Sequence, residues 1–330
     1  MLITKFNPEH QVFRESLRSF VQKEIIPNVD LWEKEGEINK LIFKKMGDMG
    51  YLGLNFPEEY GGLNLDFNYT KIFCEELSQC FSGGFTISTL VIEFMSAPYL
   101  AKYGSEFLKK KYLSKVISGD LVSAIAITEP GAGSDVKNIC TTAIDKGDDF
   151  VVNGSKTFIT NGYFGDFIIT AVKTDTSAGK NGISLLLVER NTEGLVANKI
   201  RKMGWLSSDT AELAFNNVIV PKENLVGELG KGFKYLMDGL QLERLTAAIH
   251  SLSTAESAVN YTLGYIKERS AFNKQLKEFQ VIRHRMSQMM SDILVQKSFI
   301  QYCCDLQNQN IYAVKECSIA KLQSSELAVK

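Results

Sequence analysis

The stretch AIAITEPGAGSD (124–135) runs from an apolar strand pattern directly into a glycine-rich loop, and the kind of chain beyond that loop decides the fold. Gly131 and Gly133 allow the backbone to approach a ligand closely and expose its amides, while Thr128 and Ser134 add hydroxyls. A dinucleotide-binding fingerprint would require a third glycine where Val136 stands, and an amphipathic helix after it. Neither is present. The chain instead continues through short β-branched runs, FVVNGSKTFIT (150–160), FIITAV (167–172), ISLLLVE (183–189) and ELAFNNVIV (212–220), separated by Gly, Asn and Asp. TTAIDKGDDFVVNG (141–154) reads as a hairpin. The spacers are too short and polar for crossover helices, so the block reads as an antiparallel sheet.

On either side the grammar is helical. NPEHQVFRESLRSFVQKEIIP (7–27) has an N-cap Asn, Pro at the first helical position and an apolar stripe of Val12, Leu17, Phe20 and Val21, with Pro27 as its end. FPEEYGG (56–62) reads as a loop whose glycines permit a tight turn. After Pro221 there is no proline, and after Gly239 only Gly264, which predicts long helices. The expected class is α+β, with an N-terminal helical domain (1–119), a middle antiparallel β domain (120–227) and a C-terminal helical bundle (228–330). The last helical pattern reaches Lys330 without a stop signal, so the chain reads as cut short.

Charge is balanced, with 37 Lys and Arg against 38 Asp and Glu, and no basic stripe or block suggests a nucleic-acid surface. The six cysteines have no C-x-x-C spacing and there are only three histidines, so a standard zinc site is not expected, nor any other metal. A reduced, cytoplasmic compartment is the default. The N-terminal stretch lacks a leader-like apolar region, and no apolar run approaches the length of a membrane span.

LQLERLTAA (240–248) places a Glu-Arg pair inside a helix that should be buried. Glu243 has Gly239, Leu240, Thr246 and Ala247 at the neighbouring helical positions, so no cation is placed at the spacing of a helix-surface ion pair. Its stripe is apolar or small (Leu236, Leu240, Ala247, Thr254, Ala258), and Leu242, Leu245, Ile249 and Leu252 form a second apolar face. Partial burial is expected, with space above the carboxylate. Glu243 is then either half of an ion pair across a helix interface, or a general base whose desolvated carboxylate has a raised pKa. In SKTFITNG (155–162), alternation puts Phe158 and Thr160 on one strand face, either as core or as a stacking ring beside a hydrogen-bonding group. KERSAFNKQL (267–276) is either a solvated charge run or a place where Arg269 holds a phosphate while Phe272 anchors the turn.

In this order, FPEEYGG, TEPGAGSD, FITNG, KMGWLSSDTAELAF, VPKENLVGELGKGF and ERSAFNKQL resemble the acyl-CoA dehydrogenase family of flavoproteins over nearly the whole chain. The resemblance implies FAD at the junction of the three domains, a homotetramer built as a dimer of dimers, and a place in fatty-acid β-oxidation. It implies FAD contacts for Ile125, Ile127, Thr128, Gly133, Ser134, Phe158, Ile159 and Thr160, with Ser134 also facing substrate. Arg269 and Gln280 match residues that reach the FAD of a neighbouring subunit. Gln241, Leu242 and Arg244 match the segment beside the CoA thioester. In the isovaleryl-CoA and long-chain members the base is the Glu of an ERL stretch on this helix, which makes Glu243 the candidate.

The implied reaction is removal of the α-proton by Glu243 with hydride loss from the β-carbon to FAD, giving a trans-2-enoyl-CoA, and electron transfer to electron-transfer flavoprotein. Polarisation of the thioester oxygen would stabilise the developing enolate. Phe158 stands where many members have Trp, and Asn273 where Gly is usual after Phe272. The sequence stops before the family's second glycine-rich FAD segment and its alternative glutamate position. Other readings are an acyl-CoA oxidase or acyl-carrier-protein dehydrogenase of the same fold, or a non-catalytic truncated remnant acting as a binding partner.

Overall fold

A computed structural model of the chain describes residues 6–330; the first five, part of the stretch read for a leader, lie outside them. Asn7 caps α1 (Pro8–Phe20) as expected: its side chain accepts the His10 amide, and the His10 ring accepts the Asn7 amide in return. Leu17, Phe20 and Val21 are buried, but Val12 is 66% exposed and does not belong to the stripe. Nor does Pro27 end the helical path. A π turn (Val21–Ile25) and a 3-10 turn (Ile26–Asn28) carry it into α2 (Val29–Glu35), because proline is tolerated in the first turn of a new helical segment. α3 (Leu41–Asp48), α4 (Phe67–Leu77), α5 (Gly83–Leu90), α6 (Ala97–Tyr103), α7 (Glu106–Leu108) and α8 (Ser114–Ile117) come next. In FPEEYGG, Gly61 ends a 3-10 turn at φ 94°. Gly83–Tyr103 corrects one expectation, since by length and composition it could cross a membrane. Of its apolar window 78% is buried inside the fold, which is how a core helix satisfies the same pattern.

The middle of the chain forms β1 (Ser123–Ala126), β2 (Thr142–Asp145), β3 (Asp149–Thr160), β4 (Phe167–Lys173), β5 (Ile183–Glu189), β6 (Leu195–Lys199), β7 (Thr210–Pro221) and β8 (Leu225–Val226). They make one sheet in the order β6-β7-β3-β2-β4-β5-β8, with β1 on β4. Strands β2 and β3 form the expected hairpin. The pairing is not wholly antiparallel, however: β1 and β2 run parallel to β4. From β1 the chain reaches β4 through a loop with one 3-10 turn (Val136–Asn138) and the β2–β3 hairpin, so parallel neighbours arise without a crossover α-helix. Phe150, Val152, Ile168, Leu186, Leu213 and Val218 head the apolar core under this sheet.

The proline-free C-terminal part forms α9 (Gly232–Glu268), a short hairpin of β9 (Ser270–Ala271) and β10 (Lys274–Gln275), then α10 (Gln280–Asn308) and α11 (Val314–Val329). By internal contacts the chain divides into two units. The first comprises Met1–Val21, Asp66–Phe81 and Gln241–Lys330. Within it Arg14 bridges Glu75 and Glu76, Arg18 grips both oxygens of Glu76, and buried Lys71 donates to Gln301. The second comprises Gln22–Leu65 and Ser82–Leu240 and contains the sheet. There the buried Glu93 carboxylate accepts the amides of Gly53 and Leu54, and burial pushes its pKa up to about 7.

Candidate functional site

Strand β1 delivers the chain to Ile127 and Thr128, both half-buried. Glu129 and Ala132 then exchange amide hydrogen bonds, closing a tight turn over Pro130 and Gly131. A Cβ on Gly131 or on Gly133 would meet no atom within 4 Å, so this backbone borders open space, with Ser134 exposed beside it. Ile125 is half-buried behind the turn. The Thr157 amide donates to Thr128 O at 2.9 Å and so ties the turn to β3.

Strand β3 is irregular where it matters. Its pairing with β7 shifts register between Lys156 and Ile159, and Phe158 sits in the left-handed region at φ 61°. Strict alternation therefore does not set its direction, and the core reading of Phe158 is overturned: the side chain is 66% exposed while Lys156, Thr157 and Ile159 are buried and Thr160 is half-buried. Holding a bulky residue at positive φ costs on the order of 1–3 kcal/mol, and such strain concentrates where a ligand is clamped. An outward ring, a half-buried threonine and a glycine turn over open space fit a flat ring system carrying a diphosphate, which is what FAD presents.

The turn after this strand is fixed by two buried side chains. Asn161 (φ 62°) donates to Ser88 O and Ser123 O and accepts from Ser88 Oγ. Asp209 accepts the amides of Tyr163 and Phe164 at 2.7 and 2.8 Å, and burial pushes its pKa up to about 6.

On α9, Gln241 is buried, and Leu242, Glu243 and Arg244 are partly buried. The Glu243 stripe is thus graded: Leu236 is buried, Leu240, Glu243 and Ala247 are intermediate, and Thr254 and Ala258 are exposed. Gln241 Nε2 donates to Gln307 Oε1, whereas Gln241 Oε1 is buried with no hydrogen-bond partner. A buried carbonyl left without a donor costs about 1–3 kcal/mol, which a ligand N–H or O–H would remove. A cavity of ≈ 190 Å³ lies farther along α9, lined by Ala255, Ala258, Met289 and Ile293.

Arg269 and Gln280 are exposed, at the end of α9 and the start of α10. Between them Ala271 pairs with Lys274 across a two-residue turn in which Phe272 (φ 51°) and Asn273 (φ 60°) are both left-handed. Asparagine tolerates that region, so Asn273 supports the tight turn where the family usually has glycine.

Sequence reading missed Lys156, Glu129, Asn161 and Asp209 as partners. Lys156 and Glu129 both lie in quoted motifs, but their pairing spans 27 residues and carries no local signal. The irregular φ at Phe158 was equally invisible to a period-two reading.

The family model for the acyl-CoA dehydrogenase N-terminal domain matches residues 7–120, that for the middle domain 124–218 and that for the C-terminal domain 230–330. The long-chain specific acyl-CoA dehydrogenase of Mus musculus mitochondria is 38% identical over 98% of this chain and 75% of its own length. The crystal structure of an acyl-CoA dehydrogenase from Geobacillus kaustophilus superposes with a TM-score of 0.96 at 42% identity, covering 99% of this chain and 86% of that one. A structure described as an electron transferring flavoprotein of Acidaminococcus fermentans gives 0.94 at 34% identity, covering 99% and 86%. With its three domain matches, its open glycine turn and its exposed ring, this chain belongs to the acyl-CoA dehydrogenase family, FAD-dependent oxidoreductases acting on acyl-CoA and typically homotetrameric.

Proposed function

We propose that this protein oxidises an acyl-CoA thioester to its trans-2-enoyl-CoA, with Glu243 as the base that removes the α-proton, and passes the electrons to an electron-transfer flavoprotein. We read its domains as 1–119, 120–227 and 228–330. Bound FAD supplies the hydride acceptor. Ile125, Ile127, Thr128, Gly133, Ser134, Phe158, Ile159 and Thr160 would hold it, with Arg269 and Gln280 reaching the FAD of a second subunit. Gln241, Leu242, Arg244 and Ser134 would line the thioester end of the substrate, where the partnerless Gln241 carbonyl offers an acceptor.

The observation that carries the reading is the bulge at Phe158, where the chain bears a strained backbone in order to turn a ring away from the core. Its partly buried position on α9 suits Glu243 to a proton-abstracting role. The resemblance to long-chain enzymes supports the same position for the base. The test is an anaerobic titration of the flavin-loaded protein with a panel of acyl-CoAs, followed by addition of an electron-transfer flavoprotein. Bleaching of the flavin band by at least one acyl-CoA, and its return on adding the acceptor, is expected. A flavin band unmoved by every acyl-CoA refutes the proposal, and return at full speed with oxygen alone points to an oxidase.

A further inference from the structure

The most deeply buried cation in the sheet unit is not explained by stability. The Lys156 side chain has no exposed surface, and its Nζ donates to Glu129 Oε1 at 2.8 Å and to Ile127 O at 3.0 Å. Glu129 is nearly as buried, and its carboxylate also accepts the amides of Cys140 and Thr141. Burial drives Lys156 down to about 8 even with Glu129 beside it. Burial also works against the charge of Glu129, but hydrogen bonds from Lys156 and Thr141 outweigh it and hold the carboxyl below its ordinary range. The 2.8 Å contact between ammonium and carboxylate has the geometry of an ion pair. An isolated buried pair of this kind commonly stabilises a fold no better than well-packed apolar side chains would.

Its place in the chain suggests another purpose. Lys156 stands two residues before the outward Phe158 ring, and Glu129 stands immediately after Thr128 at the entry to the glycine turn. The salt bridge, the Lys156 bond to Ile127 O and the Thr157 bond to Thr128 O join these two segments at successive residues. The mutual amide bonds of Glu129 and Ala132 then fix the direction in which Gly133 and Ser134 leave the joint. No other ion pair between described residues joins these two segments.

We propose that Lys156 and Glu129 are positioning residues for the cofactor: their buried ion pair locks the 127–134 turn and the Phe158 bulge in one register, so that the diphosphate-binding and ring-stacking parts bind FAD as a single preformed site. The proposal rests on the cofactor reading of this site. It separates a positioning role from a structural one, because an apolar pair can replace a salt bridge as packing but cannot reproduce its directed hydrogen bonds to Ile127, Cys140 and Thr141.

The test measures FAD release from the holoprotein, by the rise of free-flavin fluorescence on dilution, together with thermal unfolding at saturating FAD. Glu129→Gln is nearly isosteric but keeps one acceptor oxygen in place of two, so it preserves the bond from only one of the Cys140 and Thr141 amides. It is expected to release FAD at least about tenfold faster, the scale of one lost charge-assisted hydrogen bond. Lys156→Met paired with Glu129→Leu should recover part of the thermal stability lost in Lys156→Met alone, the part due to a buried unpaired carboxylate, while FAD release stays fast and the visible flavin band shifts. Phe158→Ala is the control for the cofactor site itself. If it releases FAD faster while Glu129→Gln behaves as the unaltered protein, the ion-pair proposal is overturned and the cofactor reading stands. Recovery of FAD retention in step with stability in the apolar double variant also overturns the proposal, since the pair would then be packing alone. If Phe158→Ala leaves FAD release unchanged, the cofactor reading itself fails.

Discussion

Replacing Asn161 by alanine should be among the most damaging single changes in the sheet unit. Its side chain is wholly buried and makes three hydrogen bonds, donating to Ser88 O at 3.0 Å and Ser123 O at 3.1 Å and accepting from Ser88 Oγ at 2.6 Å. Alanine leaves those groups buried and unmatched, at about 1–3 kcal/mol each before relaxation. The Ser88 hydroxyl can turn to another acceptor, so about two full penalties survive. Asn161 also sits at φ 62°, where alanine pays roughly 1–2 kcal/mol that asparagine partly escapes. The sum is a loss of about 4 kcal/mol for Asn161→Ala. Asn161→Gly forfeits the same bonds but not the left-handed penalty, and should be milder by about 1 kcal/mol. Urea unfolding at saturating FAD, followed by circular dichroism and by tryptophan fluorescence, measures both. A loss below about 1 kcal/mol for alanine, or a glycine variant worse than alanine, would refute this assignment of the energy.

Acid should weaken the protein through His250. Burial lowers its pKa to about 4, so the folded state refuses a proton that the unfolded chain accepts near 6.5. Its contribution is present above 6.5 and drains away as pH falls towards 4, by about 3 kcal/mol in all. His250→Asn, which can still hydrogen-bond with Ser78 Oγ, should flatten stability over that window; an unchanged slope would contradict the cause. Gly47→Ala should lower the melting temperature through overpacking of about 1–3 kcal/mol, because its Cβ would lie 2.3 Å from the Ser118 carbonyl. Phe158→Ala should leave urea stability within about 0.5 kcal/mol, as for other exposed positions, and weaken FAD binding by roughly five- to tenfold from lost stacking.

Much of this fold could be read before any coordinates. Asn7, Pro8 and the glycine- and proline-poor tail carry local signals for capping and long helices, and TEPGAGSD announced a turn that no crossover helix succeeds. The failures have physical causes. β1 and β2 pair in parallel with β4 without a crossover α-helix, which the spacer rule does not foresee. Gly83–Tyr103 is apolar enough to pass for a membrane span because most of its window is buried inside the fold, and the sequence could not say so. Strand β6 in GLVANKI (194–200) alternates buried and exposed residues but is short and partly polar, and it was missed. At the site, residue types and order were readable, whereas the Lys156–Glu129 joint and the Phe158 bulge depend on contacts between distant segments.

The chemistry proposed for this chain turns on one side chain, and Glu243→Gln isolates it. The substitution keeps size and hydrogen-bonding shape but removes the base. The variant loaded with FAD should bind the acyl-CoA that bleaches the unaltered protein, seen as a perturbed flavin band, yet bleach about 10²–10⁴-fold more slowly in an anaerobic stopped-flow experiment. Bleaching at the rate of the unaltered protein would show that another group takes the α-proton.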